Sequence, residues 1–318
     1  MGELIRMWED AETVYFLGVR VYAFGLYAAL GAALGLIALA LLLRRHHWEK
    51  GMAPLTGVLS IAGGFIVSRL FFGWLDNSLG APLSFRGMLM VTGGGYSMMG
   101  ALLGACLGAL LAARIRKQNA ARLLDFLAPA LLLFIACERL GEGYIEDFGV
   151  SRPLEGELIK GSFLAVKGLY EWYLATYLLE SFAALILALV LLRDENDKRR
   201  PGDTFLLFLL LFGASQVILE SLRFDHHLRW SFVSLQEIIA FMLLAAGVLT
   251  AALRQIRKRR GLAIAALTAL AVSLGVCIGL EFAIDRTEIS RYLIYAVFLI
   301  AVSVPAYLGI LLRREERA

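Results

Sequence analysis

Apolar residues run along this chain in blocks too long for the core helices of a soluble domain. A helix needs about 20 mostly apolar residues to cross roughly 30 Å of hydrocarbon. Nine blocks reach that scale: 21–43, 55–75, 93–113, 123–143, 173–192, 205–222, 235–253, 262–282 and 292–312. Each must satisfy its own backbone hydrogen bonds inside lipid, and the pattern predicts an all-α integral membrane protein, a polytopic bundle of about nine transmembrane helices. With 59% hydrophobic and 18% charged residues and a mean hydropathy of +0.72 over 318 residues, composition excludes a soluble globular domain.

Lys and Arg alternate in density between successive connections. Arg44, Arg45, Lys50, Arg114, Arg116, Lys117, Arg122, Arg193, Lys198, Arg199, Arg200, the run Arg254 to Arg260 and the tail residues Arg313, Arg314 and Arg317 fall on one side. The positive-inside rule assigns that side to the cytoplasm, which places the N-terminus outside and the C-terminus inside. The net charge of +4 is therefore a matter of topology and anionic headgroups, not nucleic acid. No basic n-region precedes an apolar h-region, so no cleaved signal peptide is expected. Residues 1–20 read as an extracytoplasmic interfacial segment with Leu4, Ile5 and Trp8 dipping into lipid. Cys106, Cys137 and Cys277 lie inside predicted spans without CxxC spacing, and neither a metal nor a cofactor is implied.

Polar residues within the apolar blocks are the informative exceptions, because a charge at mid-bilayer costs roughly 2.5–3.5 kcal/mol even on insertion scales. Glu138, Arg139 and Glu142 close the fourth block. Gln216, Glu220 and Arg223, spaced by four and three, stack on one face of the sixth, and Asp225, His226 and His227 follow. Arg69, Glu180 and Gln236 add further polar positions. The run Gly93 to Gly95, before Tyr96 and Ser97, offers backbone N–H groups to a headgroup, whereas Gly100, Gly104 and Gly108 suit close helix packing. For Glu220 and Arg223 an internal ion pair is the bland alternative. Taken together, Arg69, Arg139 and Arg223 could grip a phosphate by forked hydrogen bonds while Glu142 and Glu220 orient them or move protons, a pocket that fits an anionic lipid. Blocks one to seven hold every such feature; the last two look like an appendage, giving 1–20, a seven-helix domain 21–253 and two added C-terminal helices in 261–318.

The order of these motifs resembles that of the bacterial phosphatidylglycerol:prolipoprotein diacylglyceryl transferases, over residues 14–253. Val21 to Gly25 with Ala29 to Gly31 is similar to the family's first-span motif, and Ser68 to Phe72 to its Ala-Arg-Leu-Tyr-Tyr. Gly94-Gly95-Tyr96-Ser97-Met98-Met99-Gly100 resembles Gly-Gly-Met-Ser-Phe-His-Gly. Asp125 to Pro129 followed by Arg139-Leu140-Gly141 resembles the signature leading to Gly-Arg-Leu-Gly-Asn. Leu178 to Glu180, Arg200-Pro201-Gly202 and Gly213 to Asp225 complete the series.

The resemblance implies transfer of diacylglyceryl from phosphatidylglycerol to the lipobox cysteine of a secreted prolipoprotein, with glycerol phosphate leaving. It implies a catalytic role for Arg139 and Glu220 and substrate contacts from Arg69, Gly94, Gly95, Ser97, Gln216, Arg223, Gln236 and Glu180. Glu142, as a base beside Arg139, and Asp147, as a stand-in for a family glutamate, join the catalytic candidates on their own chemistry. The chain departs from the family at matching positions: Met99 for the motif histidine, Phe24 for a tyrosine, Gln216 for an arginine, Glu142 for an asparagine, and Asp147 near the place of a glutamate. Three readings stay open. One is the family transferase with Glu142, His226 or His227 replacing the imidazole. The second is a phospholipid-dependent transferase with another acceptor, and the third a non-catalytic lipid-binding homologue.

Overall fold

The computed structural model describes residues 13–16, 19–78, 95–145, 149–154, 159–168, 171–194, 199–224, 229–230 and 233–314. Among them nine helices are long and apolar enough to cross a membrane. They are α1 (Ala23–Arg45), α2 (Met52–Ser78), α3 (Met98–Ile115), α4 (Ala120–Glu142), α5 (Thr176–Asp194), α6 (Asp203–Leu222), α7 (Leu235–Gln255), α8 (Arg260–Arg286) and α9 (Arg291–Arg314). Exposed Ile37, Leu41, Val58 and Ile66 give the outer faces the apolar character that lipid requires. The expected all-helical membrane bundle is what the chain forms.

The chain divides into two compact units, Met1–Gly202 and Asp203–Ala318. In the first, α2 packs on α3, α1 on α4, and α4 on α5. Small residues make the α2–α3 contact possible. A Cβ on Gly104 would collide with the backbone of Gly63, one on Gly108 with Leu59, and one on Gly100 would lie 2.8 Å from Ser68 Cα. Without a hydrophobic drive between helices in lipid, such close backbone approach supplies the packing. The α1–α4 contact uses the same device, since a Cβ on Gly31 would sit 2.7 Å from the Phe134 carbonyl oxygen and one on Gly35 equally close to that of Ala130. Where α4 begins, buried Asp125 accepts the Gly202 N–H at 2.7 Å and lies 3.8 Å from Arg122, tying the Arg200-Pro201-Gly202 turn to that end of the helix.

Strands, which the apolar blocks did not foretell, build the connections. β1 (Thr13–Phe16) and β2 (Val19–Tyr22) form an antiparallel hairpin directly before α1, within what the sequence suggested was an interfacial segment. Leu4, Ile5 and Trp8 lie outside the described residues. Between α4 and α5, β3 (Val150–Pro153), β4 (Ala165–Lys167) and β5 (Trp172–Ala175) make a three-stranded antiparallel sheet in the order β3-β5-β4. The block expected as helix from 173 therefore begins as strand, and α5 starts at Thr176, whose hydroxyl donates to the Gly149 carbonyl at 2.6 Å.

In the second unit, α6 packs on α7, while α8 and α9 pack on each other and on α7, and α9 also packs on α6. A short ladder of β6 (Arg229–Trp230) and β7 (Val233–Ser234) leads into α7, where the Ser234 hydroxyl caps the helix by accepting from the Glu237 N–H at 3.0 Å.

Candidate active site

In the first unit the last turn of α4 carries Glu138, Arg139 and Glu142 inward, and Arg139 is 1% exposed. A guanidinium removed from water and lipid needs a partner for each donor direction. Its Nη1 donates to Glu142, one helical turn on; its Nε lies 2.7 Å from Glu180 Oε2 on α5 and 3.8 Å from Glu138 Oε2; its Nη2 donates to the Met98 sulfur on α3 at 2.9 Å. Three helices thus fix one planar fork, and three carboxylates hold it in orientation. Glu142, Glu180 and Arg139, named from the sequence, are brought together.

Glu142 also faces the start of the sheet region. A Cβ on Gly149, whose φ is +68°, would come within 2.9 Å of Glu142 Oε2. Only glycine adopts that backbone without strain while leaving room for the carboxylate. Nearby, the Tyr27 and Tyr144 hydroxyls are hydrogen-bonded at 3.0 Å with their rings stacked, and α1 approaches α4 so closely that a Cβ on Gly141 would lie 3.1 Å from Phe24 Cα.

Arg69, buried on α2, occupies a second cluster at the start of α3. Its Nη1 donates to the Gly95 carbonyl at 2.7 Å, and its guanidinium sits 5.4 Å from the Tyr96 ring centroid. Burial pushes the Tyr96 hydroxyl above its ordinary pKa and the Arg69 charge partly offsets this, so the ring stays a neutral donor at physiological pH. Gly95, with φ of +74°, precedes the helix, and Ser97 is the N-cap whose hydroxyl accepts from the Gly100 N–H at 3.2 Å. Ser68 donates to the Ser97 carbonyl at 2.8 Å. Gly95 and Ser97 are therefore held by Arg69 and Ser68, and the Arg69 fork is partly engaged with backbone. Met99 is buried in the first turn of α3, where it can neither take nor give a proton.

The second unit carries Gln216, Glu220 and Arg223, all at most 2% exposed. The Arg223 N–H donates to the Glu220 carbonyl at 3.2 Å, tightening the last turn of α6 and placing both charged residues at one end of it. The Gln216 side-chain oxygen is buried without a hydrogen-bond partner among the described residues, as is that of half-buried Gln236 at the start of α7. Gly94, Asp147, Asp225, His226 and His227 lie outside the described residues. Among the described residues no cluster of His, Cys, Asp and Glu is arranged to hold a metal ion.

Sequence reasoning missed Met98 as an acceptor for Arg139 and Gly149 as the residue that makes room for Glu142. The one available signal for Gly149 is a glycine shortly after a buried helix end.

The fold and the clusters of each unit define a multi-pass helical membrane protein with buried ionisable clusters at helix ends. The family profile described as prolipoprotein diacylglyceryl transferase matches residues 12–253, and the chain belongs to that family. The phosphatidylglycerol–prolipoprotein diacylglyceryl transferase of Clostridium tetani is 22% identical over 247 residues, covering 76% of this chain and 96% of that relative. Proteins of the same name from Listeria innocua and Halalkalibacterium halodurans are each 24% identical, covering 75% and 76% of this chain and 87% and 84% of those relatives.

Proposed function

We propose that this protein transfers the diacylglyceryl group of phosphatidylglycerol to the cysteine thiol of a lipoprotein precursor, in a bacterial cytoplasmic membrane, with its N-terminus and its site on the outer side. In that reaction the sulfur attacks a glycerol carbon, the bond from that carbon to a phosphate oxygen breaks, the thiol proton passes to a base, and glycerol phosphate leaves. The leaving group gains charge as the bond breaks, so preorganised donors accelerate the step. Arg139 carries this reading, because its fork is buried, immobilised by Glu142, Glu180 and Met98, and belongs to the motif Arg139-Leu140-Gly141. Glu142 is the carboxylate best supported as proton acceptor in the first unit, since Gly149 keeps space beside it. The resemblance in motif order supports Glu220 as a further catalytic group, with Arg69, Gly94, Gly95, Ser97, Gln216, Arg223, Gln236 and Glu180 serving substrate binding and Asp147 a further acid–base role. The division into a seven-helix transferase domain, 21–253, and two added helices is part of the same proposal.

Met99 favours a second reading, in which the phospholipid is the same but the acceptor differs, because the motif's imidazole is absent at the matching position. The test is purified protein in lipid nanodiscs with headgroup-labelled phosphatidylglycerol and a lipobox peptide, with Glu220→Ala as control. Lipidated peptide with released glycerol phosphate, lost in the control, is the expected result. Headgroup release without peptide lipidation supports the second reading, and binding without any release overturns both. A Met99→His variant with turnover raised by about tenfold or more, within the range of general acid–base catalysis, would mark that position as catalytic.

A further inference from the structure

The matched stretch of the family ends at residue 253, before α8 and α9, and 96% of the Clostridium tetani relative is accounted for by 76% of this chain. The two added helices are attached to α6 at chemically specific points. At one end, Arg313 Nε donates to the Asp203 carbonyl at 2.9 Å. Between the two ends, nearer the first, Gly309 lets α9 close on Leu210, whose Cδ2 would lie 2.7 Å from a Cβ there. At the other end, the Tyr295 hydroxyl donates to the Ser221 carbonyl at 3.3 Å. The outer pairs are separated by eighteen residues on both helices, about 27 Å of rise, so α9 lies antiparallel along the length of α6. From α8, buried Glu281 accepts the Ser221 hydroxyl.

Ser221 is the residue after Glu220 and two before Arg223. Its carbonyl is one of the last four in α6, the groups that lie beyond the helix's own i+4 donors because α6 ends at Leu222. Tyr295 supplies a donor while Glu281 fixes the side chain of the same residue. A free helix end frays and rotates; one full residue of rotation turns a side chain by about 100°. We infer that α8 and α9 are a splint for the functional end of α6, and that Glu281 and Tyr295 are positioning residues which hold Glu220 and Arg223 in working orientation by fixing Ser221. This rests on the transferase reading for its kinetic consequence but not for its structural one. It also accounts for a glutamate in an otherwise apolar appended span, a placement that lipid disfavours without a partner.

The experiment compares full-length wild type with Tyr295→Phe, Glu281→Leu and Glu281→Gln in nanodiscs, by amide hydrogen exchange across 213–224 and by transferase kinetics. Tyr295→Phe keeps the ring and loses only the donor; Glu281→Gln keeps an acceptor for Ser221. Tyr295→Phe and Glu281→Leu are expected to raise exchange at 219–224 by about tenfold or more and to lower kcat by about tenfold, with a raised KM for phosphatidylglycerol because Arg223 is proposed to contact that substrate. Glu281→Gln is expected to restore both. Wild-type exchange in both disruptive variants overturns the inference, and so does raised exchange with unchanged kcat, which would make the contact merely structural. If the wild type shows no transferase activity, the functional reading fails and exchange alone decides whether the splint exists.

Discussion

At the scale of single residues, Arg139 donates from Nη1 to Glu142 and from Nη2 to Met98 while its Nε lies 2.7 Å from Glu180, so its nitrogens meet partners on three helices. A lysine keeps the charge but offers one compact ammonium on a flexible stem, so it cannot hold these directions at once. Arg139→Lys is therefore expected to lower kcat/KM by about a hundredfold or more, roughly 2.7 kcal/mol of transition-state stabilisation, with the protein still folded. A variant within a few-fold of wild type would mean that charge alone suffices and the fork has no role. Much of this cluster was legible beforehand, because charged residues at Glu138, Arg139 and Glu142 stand out against an apolar block. Met98 was not, since a methionine in a span reads as filler and its use as an acceptor depends on where α3 meets α4. Gly149 left only the mark of a glycine shortly after a buried helix end, as a φ of +68° beside a carboxylate has no sequence pattern of its own.

At the scale of elements, all nine helices follow from block length, and the stripe Gly100, Gly104 and Gly108 correctly foretold a tight contact. What it did not name was the partner, which proves to be α2, with Gly63 opposite Gly104. The strands escaped because two- to four-residue segments are defined by their pairing rather than by their own periodicity. The Gly104 contact is backbone against backbone, so neither side can yield as a flexible side chain would. Gly104→Leu is expected to separate α2 from α3 and cost on the order of 3 kcal/mol or more, seen as a lowered Tm in detergent. It should also weaken function, because α2 carries Arg69 and α3 carries Met98. Gly275→Leu provides the comparison: a Cβ at Gly275 meets nothing within 4 Å, and near-wild-type stability is expected there. Equal losses at the two positions would show that helix propensity or lipid-facing bulk, not the α2–α3 contact, sets the effect.

At the scale of the whole molecule, the side of the membrane on which the site opens decides which acceptors can reach it. Spans that alternate in direction put the end of α4 and the starts of α3 and α5 on one side, together with the β3-β5-β4 sheet. The α3–α4 turn holding Lys117 falls on the other. In the orientation proposed from the distribution of Lys and Arg, the Lys117 side faces the cytoplasm and the sheet, with exposed Phe163, the exterior. A secreted precursor presents its cysteine at the outer face, so the transferase reading requires this orientation. In a background with Cys106, Cys137 and Cys277 replaced by serine, single cysteines at Lys117 and Lys160 separate the possibilities. A membrane-impermeant thiol reagent applied to intact cells is expected to label Lys160→Cys, and to label Lys117→Cys only after permeabilisation. The reverse pattern would put the Arg139 cluster toward the cytoplasm, where exported precursors have not yet presented a lipobox, and would favour an acceptor made inside the cell.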